Sequence, residues 1–254
     1  MSNNILLIGE HCIDVYHYGK CSRLNPEAPV PILNEEYIRK IEGMASNVKN
    51  NLANFGFKID HYKNKEIIEK HRLVDLNYKQ QLLRYDIENK LKKIEVKHIE
   101  GDYDIVIISD YDKGLITRNV AEYICNKYKD KPIFVDSKKK DLSCYSNCFL
   151  KINDNEYNNL KSYNKSNCEL IITKGRFGAT YKFKNYPADK VDVYDVCGAG
   201  DVFLAGLVYG YSKSKDIIEG IKIANKLASI SVSKFGTYIL TKDDICKLQN
   251  NYIE

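Results

Sequence analysis

Five short, mostly apolar runs recur along the chain, each flanked by charged or helix-forming segments. Runs this short are typical of strands buried on both faces, as in a parallel sheet. Apolar stripes at helical spacing lie between several of them, and alternating strands and helices imply an α/β fold with a mostly parallel sheet covered on both faces. The runs begin at Ile5, Ile105, Ile133, Cys148 and Leu170.

Helical spacing of apolar residues predicts most of the helices, and prolines and turn residues predict where the β-elements and loops lie. Three prolines exclude a helix from residues 16–33, which we interpret as a small exposed β-element. Residues 60–100 are the least regular, with a strand expected near 67–74. The predicted helices cover 44–55, 117–128 with Thr117 as N-cap, a segment from about 154, 199–213 and 215–233, with a hairpin around 179–183.

Composition and charge limit the functional classes. With 254 residues, 44% hydrophobic and 29% charged, the chain suits one globular domain spanning 1–254. The net charge of +5 is scattered, which argues against a nucleic-acid surface. We see no secretory signal or membrane span, and the 8 cysteines form no CxxC pair. We therefore expect a cytoplasmic protein with reduced thiols and no membrane contact.

The strongest functional signal is Gly198-Ala199-Gly200-Asp201, directly before an apolar helix. Small residues leave free backbone amides at a helix N-terminus, where the macrodipole favours an anion such as a transferring phosphoryl group. Asp201 could accept a proton from a hydroxyl under phosphorylation. The alternative is a glycine-rich turn with Asp201 as a helix cap.

Two further loops suit a nucleotide and its metal. Thr173-Lys174-Gly175, with Gly178, follows an apolar strand and offers a hydroxyl, a cation and a pliable backbone, although a hairpin turn has the same composition. Asn153 and Glu156 follow another strand three residues apart, so both can face one cleft and hold water around Mg²⁺. The alternative for this pair is a simple helix start.

Polar residues also follow several other predicted strands, which is where open α/β sheets bind ligands. Those near the N-terminus fit polyol recognition, and two lysines fit a substrate phosphate. Each of them could equally be an ordinary loop residue. The candidates for substrate binding are Asp14, Gly43, Asn47, Asp110, Lys113 and Lys138.

These motifs, in this order, resemble the ribokinase-like (phosphofructokinase-B) carbohydrate kinases over nearly the whole chain. Residues 195–201 match the family's D-x-x-G-A-G-D signature, and Asn153 with Glu156 matches its N-x-x-E motif. Within the family the chain most resembles the bacterial D-glycero-β-D-manno-heptose-7-phosphate kinases. Residues 26–31 look specific to that branch. The family resemblance also covers Tyr18-Gly19, Ser22-Arg23, residues 81–84, and Asp110-Tyr111 with Lys113-Gly114.

The resemblance implies a three-layer α/β/α kinase with a small β-lid from about residues 16–41 and part of 66–86. In relatives such a lid often pairs between subunits, which implies a homodimer. The implied acceptor is a sugar or sugar phosphate, with heptose 7-phosphate as the best single candidate.

The resemblance also assigns roles at the reaction centre. Asp201 would be the catalytic base, Gly198 to Gly200 the anion hole, and Mg·ATP the donor, with the metal near Glu156. The stretch from Asn225 to Gly236 would flank the adenine, and a monovalent cation is a further expectation near Asp195.

Three departures from the family pattern affect these expectations. Met44 replaces the second glycine of a Gly-Gly pair, which would put a thioether where backbone approaches the sugar. Cys197 replaces a threonine beside the phosphate loop. A strand-helix segment expected after Gly56 is missing, so that Phe57 would run almost directly into a much later strand. They leave a second hypothesis open, a weak or inactive relative that binds a nucleotide or sugar phosphate as a regulator or scaffold. A nucleoside or vitamin kinase is a third.

Overall fold

The structure, a computed structural model, describes residues 3–250, with side chains described through Cys246. Single 3₁₀ turns lie at Val96–His98 and Gly175–Phe177. The helices are α1 Ala45–Asn54, α2 Arg118–Lys127, α3 Asp154–Asn158, α4 Ala199–Ser214, α5 Ile217–Val232 and α6 Lys242–Asn250. The strands are β1 Asn4–Gly9, β2 His11–Leu24, β3 Pro31–Met44, β4 Lys58–Tyr62, β5 Ile68–Asp75, β6 Gln80–Glu88, β7 Ile105–Asp110, β8 Ile133–Ser137, β9 Asp141–Leu142, β10 Cys148–Asn153, β11 Ser162–Tyr163, β12 Cys168–Thr173, β13 Ala179–Tyr181 and β14 Lys184–Tyr186.

Eight strands form the central sheet, in the order β14-β13-β12-β10-β8-β7-β1-β4. All pairs from β12 to β4 are parallel, and the β13–β14 hairpin continues the sheet antiparallel at one edge. Parallel neighbours require crossover connections, and the intervening helices and loops supply them. The predicted α/β class with a mostly parallel sheet is confirmed.

Alternate residues of β1 enter two separate hydrophobic cores. Leu6 and Ile8 pack on the face covered by α2, whereas Ile5 and Leu7 pack on the face covered by α1, α4 and α5. Side chains of a strand alternate between faces, so a strand buried on both sides must be apolar throughout. The sheet is therefore the middle of three layers, as predicted.

A second sheet of four strands stands beside the first, in the order β3-β2-β5-β6. Residues 16–41 lie in β2, β3 and their turn, and most of 66–86 lies in β5, β6 and theirs. On its inner face, the Tyr16 hydroxyl accepts a hydrogen bond from the Thr237 amide at 2.9 Å. This contact ties the sheet, called the lid below, to the loop after α5.

The predicted helices at 44–55, 117–128, 199–213 and 215–233 correspond to α1, α2, α4 and α5, with bounds that differ by at most two residues. Thr117 is the N-cap of α2, its side chain accepting from the Val120 amide at 3.5 Å. α6 has no counterpart among the predicted helices. Of the helices described, none is long and apolar enough to cross a membrane.

The segment after Gly56 differs from its prediction in one respect. Lys58–Tyr62 forms β4 and pairs parallel with β1, so the expectation that this strand is missing is wrong. Its residues alternate between exposed and half-buried because β4 is an edge strand, and such a pattern lacks a continuous apolar run. Across 63–67, which the structure describes in full, no helix separates β4 from β5. The helix of the expected segment is thus absent.

Small residues bring α4 and α5 into close contact. A Cβ atom on Gly210 would lie 2.7 Å from the Cα of Gly220, and one on Gly220 would lie 2.9 Å from the Leu207 carbonyl oxygen. The two backbones therefore pack directly against each other, with no room for a side chain between them. This contact sets the position of α4, whose first turn contains Asp201.

We expect Gly210→Val to lower the free energy of unfolding by about 1–3 kcal/mol, because overpacking forces the two helices apart. Lys213→Val is the matched control, since it places the same side chain at an exposed position of α4. That control should stay within about 0.5 kcal/mol of the original chain. Urea denaturation measures both, and equal midpoints for the two variants would contradict the packing argument.

Candidate active site

Residues 198–201 form the start of α4. Gly198 is its N-cap with φ at 76°, a left-handed conformation that suits glycine, and its carbonyl accepts from the amides of Asp201 and Val202, both at 3.0 Å. First-turn amides such as that of Gly200 lack an acceptor within the helix and attract an anion. The Ala199 amide already donates to the Val196 carbonyl at 3.2 Å, so one of the three predicted anion donors is engaged.

The Asp201 carboxylate is buried and held by two donors. The Tyr111 hydroxyl donates to Oδ1 at 2.6 Å, and the Asn47 amide nitrogen donates to Oδ2 at 3.2 Å. Burial, with a smaller contribution from nearby Asp136, raises the pKa of Asp201 to about 6, against the opposing effect of the Tyr111 hydrogen bond. A carboxylate with this pKa can accept a proton near neutral pH.

A chain of charges runs from the sheet to α3. Lys151 Nζ lies 2.7 Å from Asp136 Oδ2, with both side chains buried, and Lys138 Nζ lies 2.6 Å from Glu156 Oε1 and 3.5 Å from Asp136 Oδ1. Burial alone would raise the pKa of Asp136, but the two lysines outweigh it and lower that pKa. A Cβ atom on Gly200 would lie 3.0 Å from Lys151 Nζ, so this ammonium group borders the start of α4.

The Asn153–Glu156 pair forms a capping box at the start of α3, which was the simpler of its two interpretations. Asn153 Oδ1 accepts from the Glu156 amide, and Glu156 Oε2 accepts from the Asn153 amide, both at 2.8 Å. Within the described residues, no group of three or more His, Cys, Asp or Glu side chains could hold a metal ion. One carboxylate with a nucleotide's phosphates and water is nonetheless the usual setting of Mg²⁺, and Glu156 supplies such a carboxylate, with its Oε1 already paired with Lys138.

A cleft of about 510 Å³ opens beside the start of α4. Its walls are mostly apolar, which suits a planar base, and Ala199 with Gly200 forms the end nearest Asp201. Asn225 lies in the wall and donates to the Tyr186 carbonyl at 2.8 Å, which fastens the loop after β14. Four of the predicted nucleotide residues line the cleft, namely Thr173, Gly175, Gly178 and Asn225. The other three, Asn153, Lys174 and Gly236, lie outside its lining.

Gly236 lies instead beside Asp195. Asp195 Oδ2 accepts from the Gly236 amide at 3.0 Å, and Oδ1 accepts from the Cys197 amide at 2.9 Å. Asp195 thus joins the loop before α4 to the loop after α5. The thiol of Cys197 lies 3.4 Å from Thr237 Oγ1, so it makes a contact in place of the threonine hydroxyl expected there.

On the lid side, Asp14 is buried and paired. Its Oδ1 lies 3.0 Å from Arg72 Nη2, and its Oδ2 accepts from Thr237 Oγ1 at 3.1 Å. A Cβ atom on Gly43 would lie 2.4 Å from Asp14 Oδ2, so glycine at this position makes room for the carboxylate. The adjacent Met44 packs its thioether into the core and has φ 55° and ψ −136°, a conformation in which glycine avoids strain.

Two predicted substrate residues have other partners. Asp110 is fully buried, and its carboxylate accepts from Lys139 Nζ at 2.6 Å, from Ser137 Oγ at 2.9 Å and from the Tyr145 hydroxyl at 2.5 Å. Through these contacts the carboxylate holds the end of β7 in place. Lys113 Nζ pairs with Glu88 at 2.7 Å on the lid strand β6. We therefore leave both out of the proposed substrate contacts.

Some residues of the site have no role in the sequence interpretation. Lys151 interrupts an otherwise apolar strand, and a buried lysine needs a partner, which was the one available signal. Tyr111 lies in a quoted motif, but nothing in the sequence places its hydroxyl against Asp201, 90 residues away. Arg72 lies in the irregular region between 60 and 100 and reaches Asp14 only through the folded lid.

Comparisons with known proteins agree with this geometry. Residues 60–244 match the family model of the pfkB family carbohydrate kinases. The bifunctional protein HldE of a Nitratiruptor species is 30% identical over 96% of this chain and 64% of its own length. HldE of Campylobacter jejuni (strain RM1221) is 31% identical over 95% and 63%, respectively. The chain thus spans less than two thirds of the length of these relatives.

The relatives contain residues that this chain lacks. The alignment with HldE of Aliarcobacter butzleri (strain RM4018) covers 309 positions, whereas the chain has 254 residues, so at least 55 positions have no counterpart here.

Solved structures show the same fold. Phosphofructokinase-2 from Escherichia coli in complex with potassium superimposes with a TM-score of 0.75 at 14% identity, covering 100% of both chains. Ribokinase from Thermotoga maritima gives 0.70 at 15% identity, covering 98% of this chain and 100% of its own. With its ribokinase-like fold and its match to the family model over most of its length, the chain belongs to the pfkB family of carbohydrate kinases.

Proposed function

We propose that this protein transfers the γ-phosphoryl group of ATP to a hydroxyl of a sugar or sugar phosphate, with D-glycero-D-manno-heptose 7-phosphate as the first candidate acceptor. The observation that carries the proposal is the position of Asp201. Its buried carboxylate lies in the first turn of α4, between the cleft that Gly200 lines and the lid-side residue Asn47. A general base between a nucleotide site and an acceptor site is the arrangement that phosphoryl transfer needs.

In this proposal the apolar cleft binds the nucleotide base, and its phosphates extend toward the amides at the start of α4. Lys151 beside Gly200 adds positive charge where negative charge develops on the transferring group. Glu156 would hold Mg²⁺, which neutralises phosphate charge when bound. Asp201 accepts the proton of the acceptor hydroxyl as the new bond to phosphorus forms.

The lid and its residue Met44 support the choice of acceptor. The resemblance to heptose-7-phosphate kinases in residues 26–31 and 81–84 falls in the lid strands and their turns. The Met44 side chain is buried in the core, so this departure puts no thioether in the acceptor space. The missing helix between β4 and β5 leaves this side smaller than in the relatives, which is why the acceptor must be tested against a panel.

The proposal also includes the cellular compartment of the protein and a monovalent cation. All 8 cysteines are free thiols, which suits a protein of the reducing cytoplasm. A monovalent cation near Asp195 would adjoin the loops that flank α4, and the related phosphofructokinase-2 was solved with potassium.

The lid is also the proposed dimer interface. Ile38, His17, Leu73 and Leu83 are paired in register across all four strands, so they share one face. Tyr16, whose neighbours in sequence point the opposite way, contacts the body of the protein, and the Ile38–Leu83 face therefore points outward. Ile38 is 48% exposed and Leu83 is 56% exposed, and an apolar sheet face of this kind invites pairing between two copies.

Asp201→Asn should lower kcat by about 10²–10⁴-fold, because it removes the general base and leaves the nucleotide cleft intact. The measurement is ADP release with Mg·ATP and a panel of sugars, sugar phosphates, nucleosides and vitamins, alongside nucleotide binding by calorimetry. Full turnover by the variant would remove Asp201 from the mechanism. Stabilisation of the original chain by ligands without any ADP release would favour a regulatory binding protein.

Ala228→Phe should weaken Mg·ATP binding at least tenfold, because the added ring occupies the cleft that Ala228 lines. Lys222→Phe is the control, since it adds the same ring at an exposed position of α5. Calorimetric titration with a non-hydrolysable ATP analogue compares the two. Equal affinity in both variants would place the nucleotide elsewhere.

Leu83→Glu should turn a dimer into a monomer, because it puts a charge on the outward lid face, in the edge strand β6. Tyr78→Glu is the control, in the turn of the same hairpin, where Tyr78 is 79% exposed. Sedimentation equilibrium gives the mass of each. A monomeric original chain, or a dimeric Leu83 variant, would contradict the lid interface.

A further inference from the structure

Tyr111 makes a contact that the reaction as described above does not use. Its hydroxyl donates to Oδ1 of Asp201 at 2.6 Å, whereas the other donor, Asn47, lies 3.2 Å from Oδ2. The two donors come from different parts of the fold, the loop after β7 and helix α1. Each carboxylate oxygen has two lone pairs, so an acceptor hydroxyl can still bind Asp201 with both contacts in place.

The loop that carries Tyr111 is held firmly. The Tyr111 amide donates to Oε2 of the buried Glu10 at 2.8 Å, and Asp110 just before it is locked by Lys139. The ring lies near two cations, with Lys70 Nζ at 5.6 Å and Lys138 Nζ at 5.7 Å from its centre. Lys70 belongs to the lid strand β5, so the ring lies where the lid meets the central sheet.

The Tyr111 hydroxyl could either occupy the place of an absent acceptor or remain bonded to Asp201 during turnover, and the anchoring of its loop bears on this choice. A side chain that merely fills the place of an absent acceptor would have to move aside during turnover. Tyr111 instead follows a strand end whose carboxylate is fully bonded, and its own amide is fixed by Glu10. The contact with Asp201 is therefore one that turnover can retain.

We infer that Tyr111 is a positioning residue, whose hydroxyl orients the Asp201 carboxylate and favours its ionised form before the acceptor hydroxyl arrives. The inference rests on the proposed function of Asp201 as general base. A hydrogen bond donated to a carboxylate is worth more when the carboxylate is charged than when it is neutral. It therefore opposes the burial and the neighbouring Asp136, which both raise the pKa of Asp201.

Tyr111→Phe removes this one oxygen and keeps the ring. We expect kcat to fall about tenfold or more with the KM for ATP nearly unchanged, and the acid limb of kcat/KM to move upward by about one pH unit. In the original chain that limb should lie near pH 6, the pKa of Asp201, because activity is lost as the base becomes protonated at lower pH.

Tyr103→Phe is the matched control. Tyr103 lies just before β7 as Tyr111 lies just after it, and its hydroxyl donates to Asp60 at 2.9 Å, away from α4. This variant loses a tyrosine–carboxylate hydrogen bond of the same kind, so it measures the effect of such a loss on stability alone. Its pH profile and kcat should match those of the original chain.

A direct titration separates this inference from the proposed function. With ¹³Cγ-labelled aspartate, the resonance that disappears in Asp201→Asn reports the protonation of Asp201 without any turnover. A higher midpoint in Tyr111→Phe supports the inference even if no acceptor is ever phosphorylated, in which case the proposed function alone fails. Equal midpoints in the original chain and in Tyr111→Phe would overturn it, whatever the activity.

Discussion

The site depends on parallel pairing, because parallel strands bring their carboxyl ends to one edge of the sheet. β7, β8 and β10 are neighbours, so the residues at their carboxyl ends lie close together. Without partners of opposite charge, the charged side chains among them would repel one another or remain buried and unpaired. The buried pair of Lys151 and Asp136 solves part of this problem at 2.7 Å. Breaking such a pair leaves an uncompensated buried charge, which typically costs about 3–5 kcal/mol. Stability and the electrostatics of the site therefore rest on the same side chains.

At the same edge of the sheet, two aspartate carboxylates have different pKa values. Asp136 is flanked by two lysines and has a lowered pKa, whereas Asp201 is buried with only neutral donors on its oxygens and has a pKa of about 6. Environment, and not residue type, makes one a fixed anion and the other a base that can exchange a proton near neutral pH. The start of α4 adds its own partial positive charge beside Asp201.

The two halves of the molecule differ in how far they follow the family. The side that we propose for the nucleotide has an apolar cleft beside the glycine-rich start of α4. The side that we propose for the acceptor has the lid, which is tied to the body through Tyr16 with Thr237 and Arg72 with Asp14, but it has no helix between β4 and β5. A lid joined to the body by buried polar contacts can keep its place without that helix, because such contacts are costly to break.

Much of the fold could be read from the sequence because it is encoded locally. Continuous apolar runs predict the buried strands, and helical stripes predict α1, α2, α4 and α5 within two residues. β4 was not predicted from the sequence, because exposed residues interrupt an edge strand and its sequence need not be apolar throughout. Gly198 to Asp201 could likewise be recognised, since a helix start and its glycine are neighbours in the chain.

The local sequence pattern is thus enough to predict the layer architecture, the family and the position of the glycine-rich start of α4. The contacts of the polar residues depend on the tertiary structure. Only the folded chain brings the Tyr111 hydroxyl against Asp201, while the carboxylate of its neighbour Asp110 is buried and bonded to Lys139. A side chain at a strand end can point either into the sheet or out of it, and only the packing of lid, sheet and α4 selects the direction. The partners that shift a pKa come from distant segments, so no local pattern can contain them.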